Sequence, residues 1–409
     1  MHTINRDNKM IKKLFYTSIF LCLACLTVSA QTKKTDVLVV GNSNAAVAAA
    51  IQSAISGVKT TLLLQAKGFD FVEITTKINS GLSETFLQKY HKAAQTPDSI
   101  KLAKFDKQLA NVVLTKWTDS VKNLTVIKDF VCTEADAHTN SWSIKISNGE
   151  TIKAKILINT NDEKLNSHLK ITAKTVSPMA IDYSNTIYRT SVASGMDLNG
   201  TSANYVSLYD LLLPNTENLV WVSDPKSMLI GQAAGATAAY ASFFDTKVSL
   251  SNLKKIQGEL INYKLNLMPF SDIKTTDTNW KAIQFVGLTG VIKSDIKATG
   301  AFFNPEKAVT TEEIKQPFKD HFYKAQIWFD DYKMEQITIG SAINLICYVG
   351  NKDETATKKQ LTKNWKTSYQ FKTDLDFNRQ ITRRELAVIL QDYAPPFNVF
   401  IDKAGKIVR

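Results

Sequence analysis

Residues 35–65 read TDVLVVGNSNAAVAAAIQSAISGVKTTLLLQ, and this stretch predicts the fold of the first half of the chain. A short apolar strand at residues 37–40 runs into Gly41, and a turn of small residues leads into an alanine-rich helix that stops at Gly57. A second strand follows at residues 60–64. A strand, a glycine turn, a helix and another strand open dinucleotide-binding folds, in which a pyrophosphate rests on the helix N-terminus. The sequence therefore predicts an α/β fold with this kind of site at the turn.

The alternation of strands and helices continues beyond this opening unit. Apolar residues recur at helical or strand spacing, and an Asn-Gly pair marks a hairpin turn at Asn148-Gly149. The further predicted elements are a helix over residues 100–117, a strand over 124–127, a β-meander over 131–159, a buried strand over 218–223 and a helix over 226–244.

The helix predicted over residues 226–244 has one very smooth face. Gly231, Ala234, Gly235 and Ala238 recur at spacings of three and four residues, which places them on the same side of the helix. A face without large side chains lets a flat ligand or another backbone approach closely. Ligand contact and plain packing are both compatible with this pattern.

The composition is that of a globular protein with a sizeable core. The chain has 409 residues, 44% hydrophobic and 22% charged, which suffices for two domains. Its net charge of +12 is spread over many lysines without an arginine cluster, and this argues against nucleic acid as a partner.

The N-terminus predicts export. Lys9, Lys12 and Lys13 precede an apolar run at residues 14–28, and Val28-Ser29-Ala30 fits a cleavage site before Gln31. A membrane anchor is the alternative, but the run is short for a membrane span. We therefore predict a signal peptide over 1–30, a mature chain without a transmembrane segment, and a location in the periplasm or at the cell surface. Losing four basic residues and one acidic residue lowers the net charge to +9.

Cysteine and histidine predict no metal site. After export two cysteines remain, Cys132 and Cys347, and either a disulfide or two buried thiols fits them. The mature histidines are scattered, with no spacing typical of metal ligands. They are His91, His138, His168 and His321.

The chain changes character after about residue 250. It becomes rich in lysine and in helix-turn segments, and it carries a weak repeat. Thr310 with Glu313, and Thr382 with Glu385, have the spacing of a capping box at the start of a helix. We therefore predict a first domain over residues 31–250 and a small, mainly helical, protease-resistant domain over 251–409.

The opening unit, taken with GQAAGATAAYA at residues 231–241, resembles the exported FAD-dependent oxidoreductases of bacteria that are often labelled xanthan-lyase-like. Those proteins begin with a strand, a G-x-[ST]-x-[AG]-G turn, an alanine-rich helix and a strand ending in glutamate. Here Ala46 replaces the last glycine of the turn, and Gln65 replaces the glutamate. Gln65 can still accept a hydrogen bond, but it carries no charge.

Further blocks follow in the order found in that family. Residues 79–83 resemble its glycine-leucine segment, and residues 156–162 are similar to the strand that ends in A-T-G-D. Asn161 stands in place of that glycine, while Asp162 keeps the acid. The C-terminal repeats look like S-layer-homology units, and only about sixty residues separate Asp162 from the last strand, which leaves a reduced substrate region.

The resemblance implies a Rossmann-like FAD/NAD(P)-binding three-layer fold and a cofactor site. No catalytic residue is identified, because ordinary surface and packing roles account better for the cluster Asp182, Tyr183, Tyr188 and Arg189. The residues that would contact FAD are Gly41, Ser43, Asn44, Ala45, Ala46, Gln65, Val131, Asn161, Asp162, Gly231, Gln232 and Ala233.

Three functions are compatible with these observations. The first is an FAD-dependent oxidoreductase of the cell envelope whose substrate is unidentified, with a sugar or glycan fragment as one candidate. The second is a non-catalytic envelope protein that keeps the flavoprotein fold after losing its cofactor or substrate chemistry, and that binds a partner through residues 251–409. The third is a nicotinamide-dependent dehydrogenase, which the helix at 231–241 disfavours.

Overall fold

The computed structural model of the protein describes residues 32–96, 105–171, 177–196 and 201–408. The predicted signal peptide lies outside the described residues, as does the first part of the helix predicted over residues 100–117. The first half of the described chain is built from alternating strands and helices. They are β1 (Thr32–Val40), α1 (Asn44–Ile55), β2 (Thr60–Leu64), α2 (Gly81–Ala93), α3 (Lys107–Ser120), β3 (Leu124–Lys128), β4 (Cys132–His138), β5 (Ser141–Ile146), β6 (Thr151–Asn159), α4 (Glu163–Leu169), β7 (Met179–Ala180), β8 (Ser191–Ser194), β9 (Asn204–Ser207), β10 (Leu219–Trp221) and α5 (Met228–Phe243).

A mixed sheet forms the centre of this half. Strands β3, β2, β1, β6 and β10 run parallel in that order. The meander strands β5 and β4 continue antiparallel from the first half of β6, because β10 pairs only with its second half. This is the predicted Rossmann-like, three-layer α/β fold.

Alternate side chains of β1 point to opposite faces of the sheet and join two different cores. Val37 and Val39 join the core beneath α1 and α5, whereas Leu38 and Val40 join a second core that includes Trp142 of the meander. Successive side chains of a strand point to opposite faces, so a strand with both faces buried is apolar throughout. The uninterrupted run Val37–Val40 is explained by this double burial, with each of the four residues 0% exposed.

Helices dominate the second half. They are α6 (Leu253–Asn262), α7 (Trp280–Thr289), α8 (Thr311–His321), α9 (Ala325–Asp331), α10 (Ile339–Gly350), α11 (Glu354–Asn364) and α12 (Arg383–Tyr393), with a two-stranded ribbon of β11 (Asp295–Lys297) and β12 (Gly300–Phe302).

The two halves share one hydrophobic core and many hydrogen bonds. Buried Gln257 of α6 donates its amide to the carbonyls of Arg189 and Ser191, and the Ser194 hydroxyl donates to the carbonyl of Asn266. The boundary at residue 250 stays a prediction, and separating the chain there would leave these buried polar groups without partners.

Three helix-start segments meet in a closed ring of backbone hydrogen bonds. The Val309 amide donates to Ile381, the Ile381 amide to Ile337, and the Ile337 amide to Val309. Each segment continues into a capping threonine: Thr310 for α8, Thr338 for α10 and Thr382 for α12. The weak repeat in the sequence therefore has three copies in space, not two.

The two predicted capping boxes have different outcomes. The pair Thr382–Glu385 is confirmed, since each side chain binds the other residue's amide. The prediction for Glu313 is wrong. Thr310 does accept from the Glu313 amide, but the Glu313 carboxylate forms an ion pair with the buried guanidinium of Arg383 at 2.7 Å. An arginine offers a stronger charge-assisted bond than a backbone amide.

Cys132 and Cys347 are both free and buried. Of the two predicted possibilities, a disulfide or two buried thiols, the structure shows the buried thiols. Among the described residues, no helix is both long enough and apolar enough to cross a membrane.

A cluster of basic side chains lies where α6 meets α8 and the C-terminal segment, with Arg189 buried and Lys254 and His321 half-buried. The Lys254 ammonium lies 4.4 Å from the centre of the Phe397 ring. Burial and the nearby charge of Arg189 lower the pKa of Lys254 to about 7. Burial likewise lowers the pKa of His321 to about 4. The fold therefore favours the neutral form of both side chains.

The folding stability should rise with pH above neutrality because of Lys254. Between its folded pKa of about 7 and its ordinary value of 10.5, the unfolded chain binds the proton and the folded chain does not. Chemical denaturation followed over this pH range should show the increase in wild type, and Lys254→Met should flatten it. Lys255→Met, one residue along the same helix, is the control and should leave the slope intact. A wild-type slope that persists in Lys254→Met would contradict this assignment.

Candidate functional site

A cavity of about 490 Å³ opens where β1 and β6 end side by side. The chain leaves β1 toward β2 on one side and reaches β6 on the other, so this is the switch point at which α/β sheets bind ligands. The cavity is lined by Gly41, Asn42, Ser43, Asn44, Gln65, Asp70, Val72, Thr160, Asn161, Asp162, Glu163, Lys164, Pro225 and Lys226.

The turn between β1 and α1 requires glycine at its first position. Gly41 has a φ of +134°, and a Cβ atom there would lie 2.1 Å from the Thr160 hydroxyl oxygen. That hydroxyl donates to the Val40 carbonyl at 3.0 Å, which fixes the end of β6 against the turn. Ser43 then caps α1 by accepting from the Ala46 amide at 3.4 Å. The predicted strand–turn–helix geometry is confirmed in this detail.

One of the amides at the start of α1 is used by the protein itself. The Ala45 N–H donates to the carbonyl oxygen of Pro225 at 3.0 Å. Pro225 belongs to the short loop between β10 and α5. The first amides of a helix have no partner within the helix and are the groups that hold a phosphate. Here a carbonyl oxygen takes one of these positions, and its lone pairs would repel a phosphate oxygen.

A second segment closes over the turn from the other side. The Asn44 side chain binds Val72 through both of its ends, accepting from the amide and donating to the carbonyl, each at 2.9 Å. The Asp70 amide donates to the Asn42 carbonyl at 2.8 Å. These three bonds hold residues 70–72 against the turn, so Asn44 serves the protein's own backbone.

Gln65 spans the ends of three strands. Its amide nitrogen donates to the Asp162 carboxylate at 2.5 Å, and its carbonyl accepts from the Cys132 amide at 2.8 Å. Asp162 also caps α4 by accepting from the Leu165 amide at 2.9 Å. Burial, and then the Asp162 charge, raises the pKa of the Cys132 thiol to about 11, so this thiol is protonated at neutral pH. Both polar ends of Gln65 are therefore engaged within the protein.

The charge of the cavity does not match a diphosphate. Its lining includes the carboxylates of Asp70, Asp162 and Glu163, against the ammonium groups of Lys164 and Lys226. Three negative and two positive side chains line the cavity, and Lys107 pairs with Asp70 at 3.7 Å from outside the lining. The site therefore offers no net positive charge to a ligand that carries two negative charges.

The smooth face of α5 packs on the backbone of α1. A Cβ atom at Gly231 would lie 2.2 Å from the Ala45 carbonyl oxygen, and one at Gly235 would lie 2.4 Å from that of Ala49. The first turn of α5 is also covered, since Met228, Leu229 and Ile230 are at most 3% exposed. The prediction left ligand contact and packing open for this face, and the structure shows packing.

Other predicted site residues lie away from the cavity. Ala233 is buried, and the Gln232 side chain accepts from the Leu82 amide and donates to Gln52, both at 2.9 Å. The Val131 amide donates to the Ser147 hydroxyl. Asn161 does line the cavity, and it occupies the left-handed region at φ +60°, which explains why asparagine can replace a glycine there.

The cluster noted between residues 182 and 189 has structural partners. The Tyr183 hydroxyl binds Ser294, and the buried Arg189 donates to the carbonyls of Thr289 and Gly405. Asp182 folds back on Ser184 in its own loop. No group of His, Cys, Asp and Glu side chains within the described ranges is arranged to hold a metal ion.

Sequence reasoning missed Thr160, Asp70 and Pro225, which shape the cavity through long-range contacts. Only Thr160 had a local signal, since it directly precedes Asn161 at the end of a predicted buried strand.

The chain was compared with protein families, curated proteins and solved structures. No protein-family model and no curated protein matches the chain. Among solved structures, it is similar to p-nitrophenol 4-monooxygenase from Pseudomonas putida, at 14% identity and a TM-score of 0.26 over 36% of this chain and 46% of that one. It is also similar to bacillithiol disulfide reductase from Staphylococcus aureus, at 12% identity and a TM-score of 0.23 over 32% of this chain and 39% of that one. The chain spans less than half the length of either structure, and no functional conclusion follows from this degree of similarity.

FAD is the cofactor that the fold class implies, and the residues present do not fit it. A dinucleotide needs its diphosphate on the first amides of α1, and the Pro225 carbonyl holds one of them. It needs a free acceptor for the ribose at the end of β2, and Gln65 is engaged at both ends.

Adding a methyl group at Gly231 should destabilise the protein strongly. Gly231→Ala forces the backbones of α1 and α5 apart, which should cost about 3 kcal/mol or more of unfolding free energy. The measurement is chemical denaturation of the purified variant.

Gly258→Ala is the matched control, because this glycine also lies inside a helix but faces open space. It should be neutral or stabilising by roughly 0.5–1 kcal/mol. Equal stability of the Gly231 and Gly258 variants would show that the α1–α5 contact is not tight.

Proposed function

We propose that this protein is a non-catalytic member of the flavoprotein-fold class, which keeps the frame of FAD-dependent oxidoreductases but does not hold FAD. The observation that carries the proposal is the hydrogen bond from the Ala45 amide to the Pro225 carbonyl. It places an acceptor where a diphosphate requires a donor. The engaged side chain of Gln65 and the excess of carboxylates in the cavity support the same conclusion.

The chemistry of the described residues is consistent with a binding role. A redox enzyme of this class obtains its electron chemistry from the cofactor, and the protein supplies position and electrostatics. The buried Cys132 thiol offers no substitute, since its raised pKa keeps the nucleophilic thiolate scarce. We propose export to the periplasm or cell surface on the strength of the N-terminal sequence.

A partner surface is available in the C-terminal half, in support of the predicted partner binding through residues 251–409. A groove of about 600 Å³ there is lined by Trp328, Tyr332 and Tyr348 together with Asn344 and Glu354. The Trp328 and Tyr332 rings stack with their centres 4.5 Å apart, and the Trp328 indole donates to Asn344 at 2.7 Å. Aromatic side chains held in fixed orientations are typical of binding surfaces.

The second candidate is an FAD-dependent oxidoreductase with an unidentified substrate. The sheet topology and the cavity at the switch point favour it, because both are retained. It requires the loop of Pro225 and residues 70–72 to move away from the turn when the cofactor binds.

Flavin titration distinguishes the two candidates. The purified protein should be colourless, and it should neither quench the fluorescence of added FAD nor bind ADP or NADH more tightly than about 1 mM, equivalent to about 4 kcal/mol. A yellow protein, or FAD binding near 1 µM, equivalent to about 8 kcal/mol, would contradict the proposal.

Two variants distinguish specific from non-specific ligand binding in that titration. Lys164→Ala and Lys226→Ala remove the two positive charges that line the cavity. If a diphosphate ligand binds there, each variant should weaken it, whereas weak non-specific binding should be unaffected. A loss of affinity in both variants would therefore support the oxidoreductase.

A further inference from the structure

A group of exposed apolar side chains lies at the end of α5 opposite the candidate cavity. Phe243 and Phe244 expose 68% and 58% of their surface, and Leu250 exposes 70%. The two phenylalanine rings lie 5.0 Å apart, and the Tyr240 ring lies 4.6 Å from that of Phe244. A groove of about 270 Å³ runs beside them and is lined by Ala236, Ala239 and Ile256. We call this surface the Phe243 face. Soluble proteins rarely expose an apolar cluster of this kind without a binding role.

Lysines surround the Phe243 face. Lys155 donates to the Ser242 carbonyl at 3.5 Å and so lies directly beside the aromatic cluster. Lys155 shares a shallow depression with Lys34, Lys59 and Lys153, while Lys255 lines the aromatic groove itself. Lys247 follows three residues after Phe244 and is exposed.

The carboxylates near these lysines are fewer. Asp36 forms an ion pair with Lys155 at 3.3 Å, Glu259 accepts from Ser56, and Asp245 lies between the aromatic cluster and Lys247. Glu217 also accepts from Ser249, next to Leu250, and Glu150 pairs with Lys33 at 2.8 Å. Seven lysines thus face five carboxylates, which leaves a net positive surface around the apolar side chains.

The N-terminus of the described chain lies at the same end of the molecule. Thr32 begins β1 and pairs with Thr151, which begins β6, so both strands start beside the lysines of this face. The apolar run at residues 14–28 ends only a few residues before Thr32.

We propose that the Phe243 face docks the protein onto the surface of an anionic lipid membrane. Exposed phenylalanine and leucine side chains enter the boundary between headgroups and acyl chains, and lysines around them attract anionic headgroups. A second copy of this chain is a poorer occupant, because a symmetric interface would bring the same lysines of both copies together. The Phe243 face is separate from the cavity at the ends of β1 and β6. The proposal therefore does not depend on whether FAD binds in that cavity.

Co-sedimentation with vesicles tests the proposal. The full chain is mixed with vesicles of phosphatidylcholine alone, or of equal parts phosphatidylcholine and phosphatidylglycerol. A retained N-terminal segment carries Lys9, Lys12 and Lys13 and would itself prefer anionic vesicles. The variants of the Phe243 face keep that segment, so their difference from wild type reports on the face itself. We expect partitioning at least about tenfold stronger into the anionic vesicles, falling with added salt.

Substitutions test whether vesicle binding occurs through the Phe243 face. The double variant Phe243→Ser/Phe244→Ser should reduce binding to anionic vesicles by about tenfold or more, and Lys34→Glu/Lys153→Glu should abolish the preference for anionic lipid. The controls Tyr323→Ser and Phe400→Ser remove aromatic rings that are 84% and 67% exposed elsewhere, and should change nothing. Thermal denaturation checks that each variant is folded.

Three outcomes would overturn the proposal. The first is equal binding of wild type to both kinds of vesicle. The second is an unchanged lipid preference in both double variants. The third is a dimer in sedimentation velocity that Phe243→Ser/Phe244→Ser dissociates, since the face would then bind a second copy.

Discussion

The close approach of the backbones of α1 and α5 is the contact on which this structure depends. It is possible only because Gly231 and Gly235 present no side chain to Ala45 and Ala49. The Ser53 hydroxyl reinforces it by donating to the Gly235 carbonyl at 3.1 Å. With the two helices in contact, one layer covers the sheet above both β1 and β10, and the other face is left to the meander.

The same contact explains why the cofactor site is closed. Once α5 lies directly on α1, the loop before α5 is carried to the first amides of α1. There the Pro225 carbonyl accepts from Ala45, while Asn44 secures the chain at Val72 on the other side of the turn. The packing that preserves the fold of a dinucleotide-binding protein thus supplies internal partners for groups that would otherwise hold the diphosphate. The proposed loss of FAD binding accounts for both observations.

Local patterns predicted much of this molecule. The run Val37–Val40 and the small residues after Gly41 predicted β1 and α1, and the Asn148-Gly149 pair predicted the hairpin between β5 and β6. These features depend on spacing and turn chemistry within a few residues of one another. Thr382 and Glu385 were predictable as a capping box for the same reason.

The remaining features depend on partners distant in the sequence. Nothing near Glu313 indicates that it would prefer Arg383 to its own helix cap, and nothing near Pro225 indicates that its carbonyl would reach Ala45. The third helix cap escaped detection because Ser341 takes the place of the glutamate at the end of its capping box. The sequence predicted the smooth face of α5. The spacing of its small residues alone cannot distinguish a face that contacts a flat ligand from one that packs on another helix.

A high-resolution crystal structure of the protein grown with FAD in large excess would show whether the diphosphate position is closed. We expect the Pro225 carbonyl still to accept from the Ala45 amide near the present 3.0 Å, with no diphosphate on the first turn of α1. A diphosphate bound to that amide, with the Pro225 loop displaced and the flavin beside α5, would contradict this expectation.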